Sequence, residues 1–325
     1  MLDKIANAIK KAESVAIFTH VNPDGDTIGS AFAVSAALRK MGKSACVFVS
    51  GPVPKDYEFL PGAKADVWED GSKFDISLAI DVSDEGRLGA LKDAFFSAPL
   101  TSCIDHHGTN PGFADINCVR SSAAAVAEVV VDFLDALGVE IDSDIAACLF
   151  VAVSTDTNNF SFSNTTGDTL RMAARLVDAG ADVDLITGRL YRRMPIAKTR
   201  LIGKTVSTLK TSMDGKVAIM TSSYIDRDEC GAKDEDYDGI VNYATQSDGV
   251  MVAALLRTSS QNSSVKVSVR SSCECDAAKI AAVFGGGGHS KAAGCTINQK
   301  TLEEAAQLVR AAAEAEVSAC LTTDS

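Results

Sequence analysis

Apolar residues follow two rhythms along the first half of the chain. Short β-rich runs at 15–19, 45–50, 76–82 and 100–104 are apolar almost without interruption. Residues 27–41, 122–137, 144–154 and 166–179 instead repeat their apolar positions at helical spacing. A strand with no polar side is a strand buried on both faces, so the alternation predicts a parallel sheet covered by helices. Residues 1–13 set lysines and an acid among apolar residues at helical spacing before the first strand. They lack the continuous apolar core and small-residue cleavage site of a signal peptide.

The second half changes character. From 183 to about 208 a polar, basic helical pattern holds Arg189, Arg192, Arg193, Lys198, Arg200 and Lys204, and reads as a connecting helix with a solvated charged face. Strands are expected at 216–221, 250–257 and 264–270, then a helix at 277–284, a glycine run and a terminal helix at 302–319. The fold class expected is α/β: a parallel-sheet domain over 1–188, a helical linker over 189–210 and a smaller α+β domain over 211–325. There is no internal repeat, and only 322–325 read as disordered.

Composition narrows the class. A chain of 325 residues can bury two cores. It is 46% hydrophobic and 6% aromatic, and no stretch approaches the roughly 18 consecutive apolar residues of a membrane span, so no membrane partner is expected. The nine cysteines are scattered and odd in number, which reads as reduced thiols in a cytoplasm. Cys273 and Cys275 alone are spaced to pair locally, and no second cluster beside them suggests zinc. A net charge of −12 disfavours coating of long nucleic acid, which depends on many cation–phosphate contacts. Any nucleotide ligand is therefore expected to be short, with metals supplying positive charge.

All four histidines lie in aspartate- or glycine-rich clusters: His20 in Thr19-His20-Val21-Asn22-Pro23-Asp24-Gly25-Asp26, His106 and His107 after Asp105, and His289 after Gly285, Gly286, Gly287 and Gly288. Ligands of a parallel sheet bind beyond the carboxyl ends of its strands. His20 follows the first candidate strand, Asp81 ends the third and Asp105 ends the fourth. Capping of the next helix, for which Asp26 or Thr27 is suited, explains one residue of the first cluster and not a histidine with two aspartates. Asp156 ends an apolar segment among hydroxyls. Together His20, Asp24, Asp26, Asp81, His106 and Asp156 are enough hard ligands for two metals if one carboxylate bridges, the usual device for phosphoester hydrolysis. Asp84 and Arg87 lie just beyond Asp81, where an Arg–Asp pair could be purely structural. In the second domain, four glycines exceed what a helix C-cap needs and fit a loop that a ligand approaches closely. Arg257 and Arg270 end candidate strands and Lys291 follows His289. These cations could contact a phosphate and a base, or simply be solvated.

Thr19-His20-x-Asn22-Pro23-Asp24-Gly25-Asp26 with Gly29-Ser30, Ile80-Asp81-x-Ser83-Asp84-x-x-Arg87, Asp105-His106-His107 and Thr155-Asp156-Thr157 resemble the four motifs of the DHH phosphoesterases. Val269-Arg270-Ser271, Asp238-Gly239-Ile240-Val241-Asn242-Tyr243 and Gly285-Gly286-Gly287-Gly288-His289-x-x-Ala292-Ala293-Gly294 resemble the DHH-associated substrate-binding domain. The resemblance covers essentially the whole chain, and its compact two-domain form is similar to the nanoRNases. It implies hydrolysis of short oligoribonucleotides and removal of the 3′-phosphate of 3′-phosphoadenosine 5′-phosphate by two-metal activation of water. It also implies His20 and Asp24 on one Mn²⁺, Asp26, His106 and Asp156 on the other, and Asp81 between them; Mg²⁺ or Co²⁺ are the alternatives. His107 would support the leaving oxygen and Asp105 would orient the histidines. Arg270, the glycine loop and His289 would bind the substrate's terminal phosphate and nucleotide, so that a cleft between the domains measures length. Asn158 departs from the glycine that related sequences often carry after Asp156-Thr157, which bears on substrate preference. A homodimer is compatible with this reading. The alternatives are a phosphodiesterase of pApA or cyclic di-AMP and, in another class, a silent nucleotide-binding regulator, which would have no need of all six ligands.

Overall fold

The computed structural model describes residues 1–261, 264–272 and 275–323. Cys273 and residues 324–325 lie outside these, and with Cys273 the Cys273–Cys275 spacing. The chain divides into two compact units, Met1–Arg193 and Met194–Ser325.

In the first unit, α1 (Leu2–Lys11), β1 (Ser14–Phe18), α2 (Gly25–Lys40), β2 (Ser44–Phe48), β3 (Ile76–Ile80), α3 (Lys92–Phe95), β4 (Thr101–Asp105) and β5 (Ile116–Val119) precede four helices. These are α4 (Val126–Leu137), α5 (Ser143–Asp156), α6 (Gly167–Asp178) and α7 (Val183–Leu190). All five strands are parallel, in the order β2-β1-β3-β4-β5. Every residue of β3 and β4 is buried, including Thr101, Ser102 and Asp105, which break the apolar run of β4. One face packs against α1, α2, α4 and α5 through Val15, Ile17, Leu78 and Ile80. The other is covered by an aromatic cluster in which Phe18 meets Phe48, Trp68 and Phe95, and Phe48 meets Trp68 and Phe74. β5 escapes the sequence pattern because it is a short, half-buried edge strand containing Asn117.

The strand order reverses between β1 and β3. From β1 the chain steps to β2 on one side, then returns to place β3 on the other. Crossovers leave this point in opposite directions, which opens a crevice at the carboxyl ends of β1 and β3. Across the crevice, α2 and α5 pack backbone to backbone. A Cβ on Gly29 would lie 2.3 Å from the Cys148 carbonyl, and one on Gly25 would lie 2.5 Å from the Thr155 side chain.

The second unit holds α8 (Ile196–Val206), β6 (Lys210–Ser212), β7 (Val217–Ser222), α9 (Tyr224–Glu229), α10 (Asn242–Thr245), β8 (Val252–Thr258) and β9 (Val265–Ser271). α11 (Ala277–Ala282), β10 (Gly287–His289), β11 (Ala292–Ile297) and α12 (Leu302–Thr323) complete it. Its mixed sheet runs β10-β11-β9-β8-β7-β6. Val252, Ala254, Val267 and Val269 face α11 and α12, while Ala253 and Leu255 face a core with Leu201, Tyr237 and Ile240.

Three expectations need correction. The basic stretch 183–208 is not one connecting helix: α7 ends at Leu190, and α8 begins after Pro195, whose ring cannot continue a helix. Leu201 of α8 is buried in the core of the second unit. The glycine run is not all loop, because Gly287, Gly288 and His289 pair with Gly294, Ala293 and Ala292. Gly286 and Gly288 are there for that packing, since a Cβ on them would meet the carbonyls of Gly294 and Ala292 at 2.3 and 2.5 Å. Finally, Thr322 is helical, not disordered. Among the described residues no helix is long and apolar enough to cross a membrane.

Gly29→Ala drives a methyl into the α2–α5 contact and is expected to cost about 1–3 kcal/mol. Gly203→Ala in α8, where a Cβ meets nothing within 4 Å, is expected to stabilise by about 0.5–1 kcal/mol. Urea unfolding midpoints check both; equal midpoints for the two variants would contradict the packing.

Candidate metal centre

His20 leaves the carboxyl end of β1, and the turn that follows uses Asn22 at φ 52°, a left-handed conformation that asparagine tolerates. Asp24 is the cap of α2, not Asp26 or Thr27: its Oδ1 accepts from the Thr27 amide at 3.1 Å. Its Oδ2 is left to face His20 Nε2 at 3.8 Å. Asp26, fully buried in the first turn of α2, reaches the start of α4. There it accepts from the Val126 and Ala127 amides at 2.6 and 3.2 Å, donors that no residue within their own helix can satisfy.

Asp81 ends β3 in a left-handed conformation, φ 60°, and is 2% exposed. Thr27 donates its hydroxyl to Asp81 Oδ2 at 2.6 Å. Asp81 Oδ1 is buried with no hydrogen-bond partner. His20 Nε2 lies 3.7 Å from Asp81 Oδ2 and His106 Nε2 lies 3.6 Å from Asp81 Oδ1. His106 Nε2 is also 3.4 Å from Asp156 Oδ2, at the end of α5, and 3.8 Å from Asp26 Oδ2.

These separations are informative. A nitrogen–oxygen hydrogen bond spans about 2.7–3.2 Å, whereas two donors each about 2.1 Å from a shared cation are about 3.0–3.4 Å apart. Distances of 3.4–3.8 Å are therefore too long for hydrogen bonds and lie at or just beyond the edge length of a coordination shell. Among the described residues three groups could hold an ion by proximity: His20, Asp24 and Asp81; Asp26, His106 and Asp156; and Asp81, His106 and His107. Tautomers favour the first two. His20 Nδ1 can donate to the Val21 carbonyl at 2.9 Å and His106 Nδ1 to the Ala123 carbonyl at 3.2 Å, freeing each Nε2 lone pair as second-sphere partners of metal-ligating histidines do. His107 Nδ1 is instead committed to Asp105 Oδ1 at 2.8 Å.

Asp105 is fully buried and anchored from several sides. Its Oδ1 accepts from the His106 and His107 amides at 2.8 and 3.2 Å, and its Oδ2 accepts from Asn110 Nδ2 at 2.7 Å. The ring of His107 is thus fixed with Nε2 outward, and its side chain is 43% exposed. Burial would raise the Asp105 pKa, but the His107 and Asn110 hydrogen bonds outweigh it and hold the group below its ordinary range. That hydrogen bond is also the main reason His107 is pushed up to about 9.

The other carboxylates show the opposite strain. Burial, then the charges of Asp81 and Asp156, raise Asp26 well above its ordinary value. Burial is the main cause lifting Asp156 to about 6, with Asp81 and Asp24 adding to it. For His20, burial pulls the pKa down, but Asp81, the Val21 carbonyl and Asp24 together leave it raised. Acids crowded together with an orphaned buried oxygen among them call for positive charge, and the imidazole and carboxylate donors suit a divalent cation.

Sequence reasoning missed several contributors. Thr27, considered only as a cap, holds Asp81; Asn110 holds Asp105; the α4 amides hold Asp26. No spacing rule marks Asn110, and the amides carry no side-chain signal. Asn158 stands in a run of left-handed residues, with φ 46, 54 and 62° at Asn158, Asn159 and Phe160. The first of these explains why either glycine or asparagine suits that position.

In the second unit, cross-strand register places Arg270 opposite Ala292 and Ala292 opposite His289, so Arg270 and His289 share one face of the sheet. Arg270 Nη1 donates to the Val269 carbonyl at 3.0 Å, and His289 is exposed. Arg257 is not brought to this row. It stands four positions along β8 from Ala253, the partner of Arg270, with Nη1 2.6 Å from Asp234 Oδ1 and its guanidinium over the Tyr237 ring.

The raised Asp156 value gives a pH test. Between the ordinary 3.8 and about 6 the folded, metal-free chain holds a proton that the unfolded chain has lost. Stability from this group therefore falls as pH rises through about 6. In chelator, Asp156→Asn is expected to raise the urea midpoint above wild type at a pH of about 7.5, with the gain gone by about pH 4. A gain equal at both pH values would contradict the crowding.

Two family models match the chain: the DHH family N-terminal domain over residues 14–153 and the DHHA1 domain over 198–317. The bifunctional oligoribonuclease and PAP phosphatase NrnA of Thermus thermophilus is 35% identical over 317 residues, 96% of this chain and 93% of that protein. The crystal structure of an exopolyphosphatase-related protein from Bacteroides fragilis superposes with a TM-score of 0.80 at 25% identity, covering 96% of this chain and 95% of that one. Exonuclease RecJ bound to manganese shares the fold at a TM-score of 0.54 and 14% identity, over 96% and 94% of the two chains. With its motif residues drawn to one crevice and both halves matched, the chain belongs to the DHH family of phosphoesterases, with a C-terminal DHHA1 domain.

Proposed function

We propose that this chain is a divalent-metal-dependent phosphoesterase that hydrolyses short oligoribonucleotides to nucleoside monophosphates and removes the 3′-phosphate of 3′-phosphoadenosine 5′-phosphate. The observation that carries the reading is Asp81, whose buried Oδ1 has no donor while a histidine stands on each side of its carboxylate. The two activities are those in the name of the Thermus thermophilus relative, which aligns over nearly the whole of both chains.

His20 and Asp24 would hold one ion, Asp26, His106 and Asp156 the other, and Asp81 would lie between them. When bound, such ions lower the pKa of water and neutralise charge on a phosphoryl group. Donors of nitrogen and oxygen without thiolate make Mn²⁺ our choice, with Mg²⁺ or Co²⁺ as the alternatives. The chain's own residues do the rest. Asp105 fixes the His107 tautomer, so that Nε2 faces outward to hydrogen-bond the departing oxygen, and the elevated basicity of His107 keeps a proton there. Arg270 and His289, on one face of the second sheet beside the glycine run, would bind a nucleotide's terminal phosphate. Arg257 would serve substrate only by releasing Asp234.

The test is a panel supplemented with Mn²⁺: a ribodinucleotide, a five-residue RNA, 3′-phosphoadenosine 5′-phosphate, cyclic di-AMP, pyrophosphate and long single-stranded DNA. Cleavage of the ribodinucleotide and of 3′-phosphoadenosine 5′-phosphate is expected. Exclusive cleavage of pyrophosphate, or processive digestion of the DNA, would overturn the reading. Asp81→Asn is expected to reduce kcat at least about a thousandfold, and His107→Ala about 10²–10⁴-fold. Turnover by Asp81→Asn at the wild-type rate would remove the carboxylate from the mechanism.

A further inference from the structure

Arg87 is a cation beside a cluster of acids and, among the described residues, forms an ion pair with none of them. The structural pair expected with Asp84 does not form. Asp84 spends its Oδ1 on the amides of Gly86 and Arg87, at 2.8 and 3.3 Å. The Arg87 carbonyl accepts from the Val21 amide at 2.8 Å, which ties the backbone of this segment to the turn after β1. Among the described residues, the guanidinium has one polar partner: Arg87 Nη2 lies 3.0 Å from His20 Nδ1. The residue as a whole is exposed.

That contact conflicts with metal binding at His20. A guanidinium is donor only, so the contact is a hydrogen bond only when His20 Nδ1 carries a lone pair. The neutral ring then has its proton on Nε2, the nitrogen that faces Asp24 and Asp81 at 3.8 and 3.7 Å. A ligand must present a lone pair at Nε2, which moves the proton to Nδ1 and into the bond with the Val21 carbonyl at 2.9 Å. Two N–H groups cannot share one hydrogen bond, so the arrangement that holds a cation leaves the Arg87 guanidinium without its partner. It stays tethered by its backbone at the edge of the crevice, where a substrate phosphate brings the acceptors that a planar fork of donors suits.

We propose that Arg87 is a phosphate-binding residue of the catalytic unit, resting on His20 while Nδ1 carries a lone pair and turning to a non-bridging phosphate oxygen once His20 donates Nδ1–H to Val21. The inference rests on the metal reading of the proposed function. It adds a residue to which that reading gives no part, and it makes metal loading the event that frees the anion-binding cation.

Calorimetric titration of inorganic phosphate and of AMP tests it without turnover. It uses wild type, Arg87→Ala and Arg87→Lys, each with Mn²⁺ and in chelator. Charge-assisted bonds of this kind are worth about 1.5–3 kcal/mol, so with Mn²⁺ the Arg87→Ala dissociation constants are expected to rise about 10–150-fold. Arg87→Lys should fall between, because it keeps the charge without the fork. Mn²⁺ uptake should match wild type in both variants. In chelator the three proteins should bind either anion equally weakly. Unchanged anion affinity in Arg87→Ala with normal Mn²⁺ uptake would overturn the proposal. Loss of Mn²⁺ uptake in both variants would also overturn it, by making Arg87 a support of His20. Because inorganic phosphate is not cleaved, these outcomes are separate from failure of the substrate panel.

Discussion

The structure depends on carboxyl groups crowded together, two of them out of water, with too few hydrogen-bond donors to satisfy them. Asp26 and Asp81 are almost wholly buried, and Asp24 and Asp156 add charge to the same place. Burying even one unpaired carboxylate costs several kcal/mol, so a fold that gathers four around one crevice, two of them buried, must offset the charge from elsewhere. Part of that offset is visible. Two α4 amides serve Asp26, the Thr27 hydroxyl and amide serve Asp81 and Asp24, and imidazoles stand between the acids. Asp81 Oδ1 is where the compensation stops.

The rest of the first unit can be understood as support for that arrangement. The reversal of strand order between β1 and β3 opens the crevice and brings His20 and Asp81 to its walls. The glycines of α2 let α5 approach closely enough to deliver Asp156. Asp105 does not face the cluster as a donor; it is the pin on which the next two residues turn in opposite senses. His106 is left with Nε2 toward the acids and His107 with Nε2 toward solvent.

Much of this was legible in the sequence, for physical reasons. Strands β1 and β3 are buried on both faces and read as nearly unbroken apolar runs, and β4 is buried although Thr101 and Ser102 interrupt its run. Each gives way to a polar residue that the sheet carries to its edge. That made His20, Asp81 and Asp105 recognisable as neighbours across long stretches of chain. What stayed hidden was the part carried by backbone or by a shift of one or two positions. Asp24 took the cap expected of Asp26 or Thr27 because its turn places Oδ1 over the Thr27 amide. The glycine run concealed β10, since glycine has no strand preference and the pairing shows only through the close approach of β11. Pro195 divides what charge patterning made look like one helix. Arg87 seemed paired with Asp84 by proximity in sequence, whereas Asp84 was already occupied by backbone amides.

If the buried acids are a cation site and not a structural accident, the chain must bind metal in a fixed ratio. Equilibrium dialysis of the full-length protein against Mn²⁺, with metal counted by elemental analysis, measures it directly. Two ions per chain are expected for wild type. Binding of none, or of a single ion at saturating Mn²⁺, would contradict it.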